Sequence, residues 1–67
     1  MNSMKLRGHM NLYGDTVLDL AKFLGIHKGT LYEKINGTRQ EFTQGEIKRI
    51  AERYSLTNND ITEIFFS

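Results

Sequence analysis

The 67 residues include no cysteine, no proline and no tryptophan. Without cysteine there is no disulfide framework, and His9 and His27 lack the thiolate partners that a zinc site needs. Without proline, no helix is interrupted by a residue that lacks the backbone donor. No apolar run approaches the ~20 residues of a membrane span, and the N-terminus lacks the apolar stretch of a signal peptide. The expectation is therefore a soluble, cytoplasmic protein that carries no cofactor. There is no repeat, linker or low-complexity segment either. At this length the chain reads as one domain, residues 1–67, which buries apolar surface inefficiently. With metal and disulfide removed from the options, self-association is the most available further source of stability.

Charge of one sign is also scarce. Nine Lys and Arg stand against eight Asp and Glu, a net charge of +1, which is low for a nucleic-acid binder. The distribution says more than the total. Residues 1–40 hold six basic residues and three acidic ones, a balance of +3, whereas residues 41–67 hold three and five, a balance of −2. Such polarity is expected of a domain that turns one face to phosphate.

What is present is helical periodicity. Leu6, Met10 and Tyr13 recur at i, i+4, i+7, which predicts a first helix from about Met4 to Tyr13, with Gly14 as its stop. Met1-Asn2-Ser3 reads as a dispensable leader. Thr16 precedes Asp19 by three residues, a capping box for a second helix that buries Val17, Leu20, Ala21 and Leu24 and ends at Gly25. A third helix is expected over about Lys28–Ile35, closed by Asn36-Gly37. Phe42-Thr43-Gln44-Gly45-Glu46-Ile47 is a full start signal, with Thr43 as cap, Glu46 reaching back and Phe42 stapling Ile47. It opens a fourth helix that buries Ile47, Ile50, Ala51 and Tyr54. Leu56-Thr57-Asn58-Asn59-Asp60-Ile61 repeats the pattern for a fifth helix, which buries Ile61, Ile64 and Phe65. Five short helices and no strand make an all-α bundle.

The turn between the second and third helices is the most specific element. Two helices that cross steeply need a small residue at closest approach, here Ala21. They also need a positive-φ residue at the corner, here Gly25, with Ile26 plugging the corner and Leu31 anchoring the third helix. This is the layout of a helix-turn-helix. With Leu31 and Ile35 facing inward, His27, Lys28, Gly29, Tyr32, Glu33 and Asn36 face outward.

From about Lys5 to Phe66 the chain resembles the phage Cro and repressor DNA-binding domains of the lambdoid and XRE class. Ala21 and Gly25 match the turn positions of that family, and Leu20, Leu24, Ile26 and Leu31 match its core. Lys34-Ile35-Asn36-Gly37 with Phe42-Thr43 and Glu46-Ile47 resembles its downstream segment, as does the closing Leu56-Thr57, Asp60-Ile61 and Ile64-Phe65-Phe66. Three positions depart. Lys34 stands where the family often has a buried aliphatic. Val17 stands where many members carry a phosphate-binding glutamine, and Gly29 offers no side chain at an outward position of the third helix. The resemblance implies a five-helix, lambda-repressor-like fold and a transcriptional regulator of phage or prophage origin. It further implies that the third helix lies in the major groove, on a palindromic operator bound as a dimer with half-sites about 34 Å apart.

On that reading, chemistry assigns roles. Lys28 can donate to guanine or to a phosphate, and Thr30 can donate to a phosphate or pack on a thymine methyl. Tyr32 either meets DNA or packs on the second helix. Glu33 can accept from cytosine N4 but repels phosphates, so it filters sequences. Asn36 either caps its helix or reads adenine, and His27 either contacts DNA or serves only the turn. Lys22, Lys34 and Arg39 are phosphate candidates, Lys34 packing its stem and extending its ammonium outward. Lys5 and Arg7 are further candidates from the first helix.

No pattern of nucleophile, base and orienting group appears, nor any glycine-rich phosphate loop, so an enzyme is not expected. Leu18, Phe23 and Phe66 fall off the expected core faces. The Phe65-Phe66 pair is expected at a dimer interface, since an exposed aromatic pair is otherwise an aggregation hazard. The competing expectation is a protein-binding module, antirepressor-like, on a helix-turn-helix scaffold that has lost DNA readout. Val17, Gly29, Glu33 and the small net charge favour it.

Overall fold

A computed structural model describes all residues from Met1 to Ser67. It contains five helices and no strand: α1 Ser3–Leu12, α2 Val17–Leu24, α3 Lys28–Asn36, α4 Gln44–Tyr54 and α5 Asn58–Phe65. Three of them start on the same device. The hydroxyls of Thr16, Thr43 and Thr57 accept from the backbone amides of Asp19, Glu46 and Asp60. Those carboxylates accept in turn from the threonine amides. Each box satisfies two of the amides that a helix start leaves without an intrahelical partner.

The helix ends are equally local. Gly14, Gly25 and Gly37 all have positive φ and follow α1, α2 and α3. At Gly25 the backbone takes φ 74° and ψ 30°, and the amides of Gly25 and Ile26 donate to the carbonyls of Lys22 and Ala21. The chain thus leaves α2 and enters α3 through only Gly25, Ile26 and His27. Ser55 ends α4 in the same left-handed region, φ 52°, without a glycine.

Eleven residues make the core: Leu6 and Met10 from α1; Val17, Leu20, Ala21 and Leu24 from α2; Leu31 and Ile35 from α3; Ile50 and Tyr54 from α4; and Ile64 from α5. Each fully buried large side chain contributes about 1.5–3 kcal/mol relative to exposure. α2 packs chiefly on α3, and α5 on both α1 and α4. The resulting globule measures 27 × 24 × 21 Å, and no helix is long and apolar enough to cross a membrane.

Several expectations are corrected. Asn2 belongs to the fold: its side chain caps α1 by accepting from the Lys5 amide at 3.1 Å, and its own amide donates to the Ile64 carbonyl at 2.7 Å. The leader is therefore part of the contact between the chain's two ends. Tyr13 lies outside the core and about half exposed; its hydroxyl donates to the Tyr54 carbonyl, and the two rings sit 5.2 Å apart. Ile47, Ala51, Ile61 and Phe65 are only half-buried. Asn36 is the last residue of α3 and makes no capping bond, because Gly37 ends the helix instead.

Candidate nucleic-acid interface

The outward side of α3 follows from which of its residues the core takes. Leu31, Lys34 and Ile35 are buried, which leaves Lys28, Tyr32 and Asn36, spaced i, i+4, i+8, as one exposed stripe. The Lys28 ammonium lies 5.8 Å from the centre of the Tyr32 ring, so cation and aromatic form a joint surface. Gly29 beside them faces open space; an added Cβ would meet nothing within 4 Å. Packing within the chain therefore does not require a glycine there.

α3 is the one helix whose start has no side-chain cap. His27 occupies the capping position, extended and exposed, without a capping bond. The amides of Lys28, Gly29 and Thr30 have no acceptor within the chain; the first α3-end bond runs from Leu31 to the His27 carbonyl. Three free donors at the positive end of a helix, next to a lysine, suit an anion. Thr30 is half-buried at the edge of this end. Lys22 on α2 and Arg39 in the segment after α3 are exposed and form no ion pair. Glu33, half-buried, accepts from the Gln40 amide group at 3.4 Å.

Lys34 is a correction. Its residue is only 6 % exposed, and its ammonium donates to Glu46 Oε1 at 2.6 Å instead of reaching outward. The position falls on the inward side of α3, next to Ile35, and only a carboxylate held by the α4 capping box makes burying a cation there tolerable. Burial works against the charge of Glu46, but the Lys34 ammonium and the Thr43 amide outweigh it and hold its pKa below the ordinary value of 4.5. Lys5 is corrected too: Glu63 and Asp60 of α5 hold its ammonium. Arg7 stays half-exposed without an ion pair. Phe65 packs edge-on against Phe42, centroids 5.4 Å apart, which leaves Phe66 as the exposed member of the pair at 68 %.

The fourth helix braces this surface from behind through residues whose roles sequence reasoning missed. Arg49 donates from Nη2 to the Phe23 carbonyl at 2.6 Å and from Nη1 to the Leu24 carbonyl at 3.4 Å. Its guanidinium thus meets the last carbonyls of α2, where a cation is favoured by the helix dipole. The Phe23 ring lies 4.7 Å from that guanidinium and 4.5 Å from that of Arg53. Arg53 in turn grips Asp15 with two bonds, 2.6 and 2.9 Å, and the Tyr54 hydroxyl donates to the same carboxylate at 2.7 Å. Arg53 and Tyr54 hold the Asp15 pKa below 3.8, and burial with the Asp15 contact raises that of Tyr54.

No family model, curated protein or solved structure matches this chain. The functional reading therefore rests on the geometry and on the residues themselves. No group of three or more acidic or histidine side chains is placed to hold a metal ion.

Proposed function

We propose that the chain is a sequence-specific DNA-binding transcriptional regulator of the Cro and repressor kind, built on a lambda-repressor-like helix-turn-helix formed by α2 and α3. One observation carries the reading. α3 presents an uninterrupted polar stripe, Lys28, Tyr32 and Asn36, from a helix locked to α2 through a three-residue left-handed turn. An α-helix, about 10–12 Å across with its side chains, fits a major groove about 12 Å wide, and at nine residues α3 is about 13 Å long.

In this arrangement Lys28 donates to guanine O6 and N7 or to a phosphate, and Asn36 is free to pair with adenine N6 and N7. Tyr32 lends its hydroxyl and ring between them. The free amides at the start of α3 take a phosphate, helped by Thr30, and Gly29 leaves room for the DNA backbone to come close. His27 lines the entry. Lys22 and Arg39 flank the helix and neutralise phosphates, while Glu33, steadied by Gln40, rejects sequences that place an acceptor opposite it. Lys34 has no part in the contact. A globule 27 Å in its longest dimension is the right size for two copies to set their α3 helices about 34 Å apart on a palindrome.

Selection of bound sites from random duplex DNA tests the proposal. The expected result is enrichment of a palindrome with half-sites about ten base pairs apart, centre to centre. A chain that retains no duplex at low salt contradicts it and leaves the protein-binding module as the reading.

A further inference from the structure

A cavity of about 330 Å³ lies behind α3, where the end of that helix meets α4 and α5. Ligand pockets begin at about this size, 300–1,000 Å³ being the usual range. Phe42, Ile47 and Phe65, all half-buried, give it apolar walls. No residue of the outward stripe, Lys28, Tyr32 and Asn36, lines it, so an occupant leaves that face free.

Its distinctive polar group is Lys34. The side chain is only 7 % exposed, and Glu46 Oε1 is the one acceptor that its ammonium has within the chain. An ammonium carries three donors, so two remain for an occupant of the cavity. Packing alone does not call for a lysine here. An apolar side chain fills an inward position beside Ile35 as well, and a buried ion pair adds little stability that such packing would not. Apolar walls with a single well-placed polar group are the usual make-up of a small-molecule site.

We propose that this cavity binds a small, neutral aromatic molecule that bears a carbonyl group. Its ring packs against Phe42 and Phe65, which already meet edge-on with centroids 5.4 Å apart, and its carbonyl oxygen accepts from Lys34. Charge decides against an acid or an amine. Glu46 already neutralises Lys34, so a ligand of either sign would bring an unbalanced charge to a largely buried site. A carboxylate would also meet Glu41, which lines the same cavity. A plain hydrocarbon would leave the remaining donors of Lys34 without an acceptor.

The test contains no DNA, so its failure and that of the DNA-binding reading are separable. Acetophenone is the probe, titrated into the full chain while backbone amide resonances are followed by NMR. Saturable shifts are expected at Gly37, Gln40, Phe42, Ile47 and Phe65, with a Kd on the order of 1 mM. Benzoate is expected to bind about tenfold more weakly to the wild-type chain. Ethylbenzene, with a methylene in place of the carbonyl, isolates the Lys34 contact. The ratio of its affinity to that of acetophenone is expected to shift about tenfold in its favour in Lys34→Met, a comparison in which the different hydration of the two ligands cancels. The wild-type measurements stand by themselves if that variant does not fold. Acetophenone that shifts no resonance, or only resonances away from this cavity, overturns the proposal. So does benzoate that binds as tightly as acetophenone, or a ratio unchanged in Lys34→Met.

Discussion

Gly29 and Lys34 occupy neighbouring turns of α3 and show how a residue's surroundings decide what it can contribute. Gly29 has open space where a side chain would go and sits in an ordinary helical conformation, so the fold gains nothing from its being glycine. Glycine in a helix interior costs about 1 kcal/mol relative to alanine. Gly29 lies in the first turn, where that penalty is smaller, so Gly29→Ala is expected to raise stability in chemical denaturation by less than about 1 kcal/mol while weakening duplex binding, since the methyl group would stand where the DNA backbone approaches. A variant that is both more stable and equally tight would remove Gly29 from the contact. Lys34 is the opposite case. Its charge is spent on Glu46 inside the protein. Lys34→Met is expected to lose about 1–2 kcal/mol, less than a fully buried pair because Glu46 keeps some water and its capping bonds. The salt dependence of DNA binding in that variant should match wild type.

At the scale of helices, the ends are what local chemistry settles. Thr16, Thr43 and Thr57 were legible as caps because the partner carboxylate lies three residues on, and the reach of one side chain suffices to make the box. Gly25 and Gly37 were legible for a similar reason: a helix that must end in left-handed backbone favours glycine. Ser55 breaks that rule, holding φ 52° with a Cβ. Ser55→Gly is expected to stabilise the chain by about 0.5–1 kcal/mol in thermal or chemical unfolding, the relief of left-handed strain outweighing the added freedom of the unfolded chain. An unchanged or lowered stability would show that the serine side chain holds the turn. The bracing of α2 was not legible. Arg49 and Arg53 lie 26 and 38 residues from the Phe23 carbonyl and Asp15 that they grip, and no spacing within α4 announces either partner. Lys34 fell between the two cases. Its inward position follows from the phase of Leu31 and Ile35, but the carboxylate that receives it comes from α4.

The whole molecule is held by a small core and a few polar ties between its helices, so its stability should respond to acid in a definite direction. Arg53 and Tyr54 depress the pKa of Asp15, and Lys34 and Thr43 depress that of Glu46 against the effect of burial. Groups of lowered folded-state pKa stabilise the protein above their ordinary values, 3.8 and 4.5, and lose that contribution as pH falls through and below them. Unfolding free energy should thus be level near neutrality and fall below about pH 4.5. In Asp15→Asn with Glu46→Gln, stability at neutral pH should be lower and the acid limb flatter. An acid limb as steep as that of wild type would place the titrating groups elsewhere.

Ion pairs within the molecule also limit the charge left for the proposed DNA contact. The basic half of the chain keeps fewer free cations than its composition suggests, because Lys5 and Lys34 are held by α5 and α4. What remains around α3 is Lys28, flanked by Lys22 and Arg39. The central claim is that this group, presented by the α2–α3 unit, meets duplex DNA. The most direct measurement is the affinity for duplex DNA as a function of salt, from about 50 to 200 mM, for wild type, for Lys22→Ala with Arg39→Ala, and for Lys34→Met. Wild-type affinity should fall linearly on a double-logarithmic plot. The double alanine variant should be shallower by about 1.8, two phosphate contacts' worth, and Lys34→Met should parallel wild type. Absence of duplex binding at the lowest salt, or one slope shared by all three proteins, would contradict the account.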